Sequence, residues 1–143
     1  MYDDILVPTD GSEGTADAID HAIDIATTYD AALHALYVVD TAAPGEATTA
    51  AVLDALEEAG RDALDELVER AEAAGVETIE GTVGRGTPHR AILEYVDRND
   101  IDLVVMGTHG RTGLDRYLIG SVTERVVRLA DVPVLTVPLT AEG

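Results

Sequence analysis

Apolar residues alternate between two spacings along this chain. In five short segments they are nearly continuous or recur at every second position, which is typical of strands in a buried sheet. These segments are Asp3–Pro8, Ala32–Val39, Val76–Val83, Ile101–Met106 and Val134–Val137. In the four segments between them, apolar residues recur every three or four positions, which is the spacing of one helix face. These segments are Ser12–Tyr29, Thr49–Ala73, Thr87–Asn99 and Ser121–Ala130.

This order of strands and helices predicts an α/β fold. Each connection is long enough for a right-handed crossover, so we expect an open parallel sheet with helices on both faces. Gly75 marks the end of the second helix, and Gly84-Arg85-Gly86 predicts a turn after the third strand. Thr87 and Pro88 predict the N-cap and first residue of the third helix. With 143 residues the chain has the size of one domain, which we expect over residues 1–143.

Composition excludes several classes of function. The formal net charge is −19, which argues against nucleic acid or an anionic membrane as a partner. All nine basic residues are Arg, and the chain has no Cys, which excludes disulfides and thiolate chemistry. The acid excess and the absence of Lys suggest adaptation to a salty cytoplasm. The carboxylates on the second helix predict a solvated face rather than a metal or partner site.

The N-terminus and the hydropathy pattern indicate in which cellular compartment the protein is expected. The sequence has no run of about eighteen apolar residues that would span a membrane. Its first residues are acidic where a secretion signal is basic. We therefore expect a cytoplasmic protein without a membrane segment.

Two loops leave the carboxyl ends of predicted strands, the edge at which open parallel sheets bind ligands. They are Pro8–Ser12 and Gly107–Gly120. In the second loop, Gly107 and Gly110 allow close backbone approach, and Gly120-Ser121 opens a helix whose free N–H groups favour an anion. The segment from Gly107 to Ala130 contains four arginines and two acidic residues. Its net charge is therefore positive, whereas the net charge of the whole protein is negative. The alternative is that the glycines only end a strand and cap a helix, while the arginines pair with surface acids.

The spacing Gly107-x2-Gly110-x9-Gly120-Ser121 resembles the signature of the ATP-binding branch of the universal stress protein family. The resemblance extends to the segments ILVPTDGS, LYVV, GTHGRTGL and GSVTERVVRLADVPVLTVP. It implies strand order 3-2-1-4-5 in a Rossmann-like sheet similar to that of the adenine nucleotide alpha hydrolases. It also implies an adenine nucleotide over strands one and four.

The resemblance assigns a role to each matching residue. It implies that Asp10 binds adenine and ribose, although an Asp before a helix is also a common cap. Val39, or Val38 in the alternative register, would contact adenine through its backbone. The remaining implied contacts are Pro8 and Thr9 beside Asp10, Met106 and Gly107 on the ribose side, and Gly110, Gly120, Ser121, Val122 and Thr123 at the phosphates.

Other polar residues are less defined by the sequence. His109 and Arg111 would face either phosphate or solvent, and Arg85 is a weaker candidate for phosphate contact. ATP, or ADP or AMP, would be the ligand, with Mg²⁺ or Mn²⁺ as a helper cation, although no cluster of metal ligands is visible. The remaining histidines lie on separate elements and are expected to be structural: His21, His34 and His89.

Three functions are compatible with these features. The sequence has no Walker-type loop and no Lys, which disfavours efficient phosphoryl transfer, and PTDGS differs from the Ser-Gly-Gly-x-Asp-Ser type loop of adenylating enzymes. The first hypothesis is an ATP-binding regulatory module in the stress response. The second is a slow ATPase in which His109 or Asp10 positions water. The third is a nucleotide-free scaffold. The resemblance also implies a homodimer formed by pairing of the last strand, Val134–Val137, although Pro133 and Pro138 would equally blunt that edge.

Overall fold

The computed structural model describes residues 1–11, 15–41, 49–108 and 121–138. Within them the chain forms five parallel strands in the order β3-β2-β1-β4-β5, which confirms the predicted α/β fold. The strands are β1 (Asp4–Pro8), β2 (Ala32–Asp40), β3 (Ile79–Gly86), β4 (Leu103–Gly107) and β5 (Val134–Val137). The helices are α1 (Ala16–Tyr29), α2 (Ala50–Ala73), α3 (Pro88–Arg98) and α4 (Ser121–Leu129).

The helices cover the two faces of the sheet in pairs. Because successive side chains of a strand point to opposite faces, each central strand supplies both layers of the core. In β1, Ile5 and Val7 join the layer beneath α1 and α2, whereas Leu6 joins the layer beneath α3 and α4. All three side chains are fully buried. The near-continuous apolar runs of the sequence therefore correspond to strands buried on both faces.

The third strand lies three residues further along the chain than predicted, and the predicted turn at Gly84-Arg85-Gly86 was wrong. These three residues are the last of β3 and pair with Val38–Asp40 of β2. Val76 is buried, but it lies in the connection after Gly75, which has φ +98°. An apolar residue that is buried in a connection cannot be distinguished from a buried strand residue by the sequence pattern alone. Pairing with the long strand β2 decides where β3 begins and ends.

The helix ends agree with the sequence within a few residues. The side chain of Thr49 caps α2 by accepting a hydrogen bond from the amide of Val52 at 3.2 Å. Thr87 and Pro88 are the N-cap and first residue of α3, as predicted. Helix α1 starts at Ala16, after Thr15, while the predicted start at Ser12 lies outside the described residues. Among the helices described, none is long and apolar enough to cross a membrane.

Candidate functional site

The carboxyl ends of β1 and β4 lie side by side at the centre of the sheet. The chain leaves β1 through α1 on one face and leaves β4 towards α4 on the other. In open α/β sheets, this reversal opens a crevice in which ligands bind. Two loops predicted from the sequence to bind a ligand start there, after Pro8 and after Gly107.

The first loop is fastened by a buried threonine. The hydroxyl of Thr9 accepts a hydrogen bond from the amide of Gly11 at 3.1 Å and lies 3.0 Å from the hydroxyl of Thr15. Thr9 and Thr15 are both 7% exposed, and Gly11 has φ +79°, a conformation that favours glycine. Asp10 lies between the two fastened positions and is half-buried. Thr9 therefore orients the backbone around Asp10.

Thr15 is a residue that sequence reasoning missed. It precedes the first residue of α1, but its side chain makes no capping hydrogen bond to the helix. It is instead the partner of Thr9. The available signal was a small hydroxyl residue just before an apolar helix, and that pattern equally predicts an ordinary cap.

The second loop begins after Gly107, whose carbonyl group accepts a hydrogen bond from helix α4. The hydroxyl of Thr123 donates to the Gly107 carbonyl at 2.8 Å, and Thr123 is 5% exposed. This bond joins the end of β4 to the first turn of α4. Helix α4 begins at Ser121, so the amides of Ser121, Val122 and Thr123 lie in its first turn, where N–H groups have no intrahelical partner. The geometry holds the positive end of this helix beside the crevice.

Val38 and Val39, the two alternatives predicted for adenine contact, direct their backbone groups to opposite sides of β2. The amide of Thr9 donates to the Leu36 carbonyl at 2.9 Å, and the amide of Thr41 donates to the Gly86 carbonyl at 3.3 Å. Even-numbered residues of β2 therefore direct N–H and C=O towards β1, and odd-numbered residues towards β3. The pairing with β1 ends at Leu36, so the polar groups of Val38 face the crevice beyond β1. Those of Val39 face β3.

The remaining predicted residues fall into two sets. Met106 is 4% exposed and packs in the layer beneath α3 and α4, so its side chain belongs to the core. Pro8 is buried at the end of β1. Four predicted ligand residues lie outside the described part of the chain: His109, Gly110, Arg111 and Gly120.

Arg85 and His34 have side-chain partners on α2, β1 and α3. The Nε of Arg85 donates to Glu57 on α2 at 2.6 Å. His34 is 6% exposed, with Nε2 3.0 Å from the Asp4 carboxylate and Nδ1 2.8 Å from the Tyr95 hydroxyl. Burial raises the pKa of Tyr95, the charges of Glu80 and Asp4 act in the same direction, and a hydrogen bond from Thr82 opposes them. His34 therefore links β2 to β1 and α3 in the interior of the fold.

The groups at the crevice suit a ligand that carries both an anionic group and sugar hydroxyls. Helix N–H groups favour a phosphate, a carboxylate accepts from hydroxyls, and a paired N–H and C=O recognise a base edge. In the described ranges, no group of three acidic or histidine side chains is arranged to hold a metal ion. Any cation at this site would depend on ligand oxygens for much of its coordination.

Comparison with known proteins gives consistent results. The model of the universal stress protein family matches residues 1–138. The chain is 42% identical over 141 residues to universal stress protein MJ0531 of Methanocaldococcus jannaschii, across 96% of this chain and 82% of that protein. Universal stress protein UspA from Lactobacillus plantarum has a similar structure, with a TM-score of 0.85 and 31% identity over 95% of this chain and 97% of that one.

A second similar structure contains a nucleotide. It is a universal stress protein in complex with cAMP, with a TM-score of 0.76 and 32% identity over 95% of this chain and 97% of that one. The family model, the sequence identity and the shared fold all extend over nearly the whole chain. The chain belongs to the universal stress protein family.

Proposed function

We propose that this protein binds an adenine nucleotide in the crevice above β1 and β4 and acts as a regulatory module of the stress response. The observation that carries the proposal is that the Asp10 loop and the α4 amino terminus follow the neighbouring strands β1 and β4 at the same edge of the sheet. Thr123 fixes the first element to β4, and Thr9 fixes the second to α1. The complex of a 32% identical relative with cAMP supports the same class of ligand.

The groups of the crevice suggest how the nucleotide lies. The backbone N–H and C=O of Val38 would pair with the adenine edge, and the carboxylate of Asp10 would accept hydrogen bonds from ribose hydroxyls. Met106 and Gly107 would flank the ribose through their backbone. The phosphates would lie at the amides of Gly110, Gly120, Ser121 and Val122, and His109 and Arg111 are the candidate side chains for phosphate contact. Thr123 would contribute its amide, because its hydroxyl is used by Gly107.

We propose ATP as the ligand in the cell, with ADP and AMP as related states. Mg²⁺ or Mn²⁺ would be held mainly by the phosphates, which need a counter-charge on a protein of net charge −19. Nucleotide state would act on a homodimer paired through Val134–Val137. Leu135 in this strand is 37% exposed, so an apolar side chain of β5 reaches the surface.

The first experiment measures nucleotide directly. Protein purified in molar KCl is denatured with acid, and the released nucleotide is identified by chromatography. The emptied protein is then titrated with ATP and with cAMP by calorimetry. Adenine nucleotide in the purified protein, or micromolar binding of ATP, supports the proposal. An empty site without binding contradicts it, and stronger binding of cAMP replaces ATP with the cyclic nucleotide.

Variants locate the binding to the crevice. Gly110→Val should abolish binding while leaving the thermal unfolding transition in place. Asp10→Asn should weaken binding about 10- to 100-fold, because hydrogen bonds to a charged group contribute about 1.5–3 kcal/mol. The control is Asp24→Asn, which removes the same charge from an exposed position of α1 and should leave affinity unchanged. Equal effects of the two Asn substitutions would mean that only overall charge matters.

A further inference from the structure

We infer that Pro8 is a positioning residue that keeps the sheet open between β1 and β4, where the proposed nucleotide enters. This inference depends on the proposed function for its ligand but not for its structural part. The observation is an asymmetry in pairing. Strand β1 pairs with β2 as far as Pro8↔Leu36, but with β4 only as far as Leu6↔Val104. Both strands continue past this point, so the pairing ends before the strands do.

The direction of the backbone groups shows which neighbour Pro8 faces. The carbonyl of Asp4 accepts from the amide of Asp102 at 2.9 Å, on the β4 side of β1. The amide of Thr9 donates to Leu36, on the β2 side. Backbone groups alternate in direction along a strand, so even-numbered positions of β1 face β4. The nitrogen of Pro8 therefore faces β4 as well.

The same reasoning identifies the acceptor that Pro8 faces. The amide of Val104 donates to the carbonyl of Pro133, just before β5, at 3.0 Å, and that of Thr108 donates to Val137 of β5 at 3.1 Å. Val105 and Gly107 therefore direct their polar groups towards β1. After the pair Leu6↔Val104, the next hydrogen bond of a parallel ladder would run from the amide of residue 8 to the carbonyl of Val105. Proline has no N–H, so this bond cannot form.

The missing bond lies at the carboxyl ends of β1 and β4, where the proposed nucleotide would enter between the two strands. Beyond Leu6 and Val104, β1 is still paired with β2 as far as Pro8↔Leu36, and β4 is still paired with β5 as far as Gly107↔Val137. The twist of the sheet can then separate β1 from β4 at the position where the bond from residue 8 to Val105 is missing. Proline within a central strand is unusual because it removes a ladder bond, and here the only bond it removes is on the ligand side. Pro8 thereby places Asp10 and Gly107 on opposite sides of an open seam.

The test restores the missing donor. Pro8→Ala supplies an amide at residue 8, and the control Pro133→Ala supplies one just before β5, on the other side of β4. We expect a through-hydrogen-bond NMR coupling between the amide nitrogen of residue 8 and the carbonyl carbon of Val105, with slow exchange of that amide. Affinity for ATP and for cAMP should fall about fivefold, because the ligand must first break about one net hydrogen bond. Pro133→Ala should bind as the unmodified protein does.

The structural and functional parts have separate readouts. An amide at residue 8 that exchanges freely and shows no coupling to Val105 would overturn the inference. Closure of the seam with unchanged affinity would overturn the positioning role. If the unmodified protein binds neither nucleotide, the proposed function fails, and the coupling measurement still decides whether Pro8 keeps β1 and β4 apart.

Discussion

Gly60, in the middle of α2, offers the sharpest test of packing in this structure. It lies on the buried stripe of the helix and faces the ring of Tyr37 on β2, which is 4% exposed. A Cβ at residue 60 would lie 2.5 Å from Cδ1 of Tyr37 and 2.9 Å from both Cγ and Cε1. Carbon atoms in contact lie about 3.5–4.0 Å apart, so the added methyl group overlaps the ring by roughly 1 Å.

Two opposing contributions determine the effect of Gly60→Ala on stability. Replacing glycine in a helix interior by alanine stabilises by about 1 kcal/mol, and overpacking a core costs about 1–3 kcal/mol. The overlap with three ring atoms places the cost near 3 kcal/mol. We therefore expect Gly60→Ala to lower the free energy of unfolding by about 2 kcal/mol and the melting temperature by about 6 °C. Urea unfolding is the suitable assay, since urea leaves the ionic strength of a high-salt buffer unchanged.

Two further variants separate the contributions. Gly81→Ala adds the same methyl group against Leu64 of α2, where its Cβ would make an ordinary contact of 3.5 Å, and should change stability by less than about 0.5 kcal/mol. In a Tyr37→Leu background, Gly60→Ala should become stabilising by about 1 kcal/mol, because only the gain in helix propensity remains. A gain of about 1 kcal/mol in the unmodified background would refute the reasoning.

Other expectations follow from particular contacts. Thr123→Val leaves the buried Gly107 carbonyl without its donor and should lower the free energy of unfolding by about 1–3 kcal/mol in urea, whereas Thr123→Ser should restore most of it. Burial raises the pKa of Tyr95 above its ordinary value near 10, so its contribution to stability is present below about pH 10 and is lost as pH rises through the raised pKa. Tyr95→Phe should therefore lower stability at pH 8, through the lost contact with His34, but flatten the decline in urea midpoints above about pH 10. The net charge of −19 predicts that stability rises with KCl, since 1 M salt screens charges within about 3 Å, and full stability in dilute buffer would contradict adaptation to salt. Sedimentation at high salt tests the proposed dimer: Leu135→Glu should shift it to monomer, and a monomeric unmodified protein at micromolar concentration would remove its basis.

The sequence alone determined the order and type of the elements. The hydrophobic period of each strand or helix depends on residues a few positions apart in the sequence. It can therefore be recognised without knowing which other segment packs against the element. Strand β5 was predicted residue for residue as Val134–Val137, and Thr87 with Pro88 marked the start of α3. The glycine spacing after β4 also identified the family, because it is a property of the chain and not of its packing.

Only the tertiary structure decided the register. The end of β3, the directions of the backbone groups of Val38 and Val39, and the neighbour that Pro8 faces all depend on which strand lies alongside. The hydroxyls of Thr9 and Thr123 look alike in the sequence, yet each is fixed by a partner brought near by folding, Thr15 in one case and Gly107 in the other. Periodicity encodes which side of an element is buried, whereas pairing between distant segments sets which polar groups remain facing the crevice.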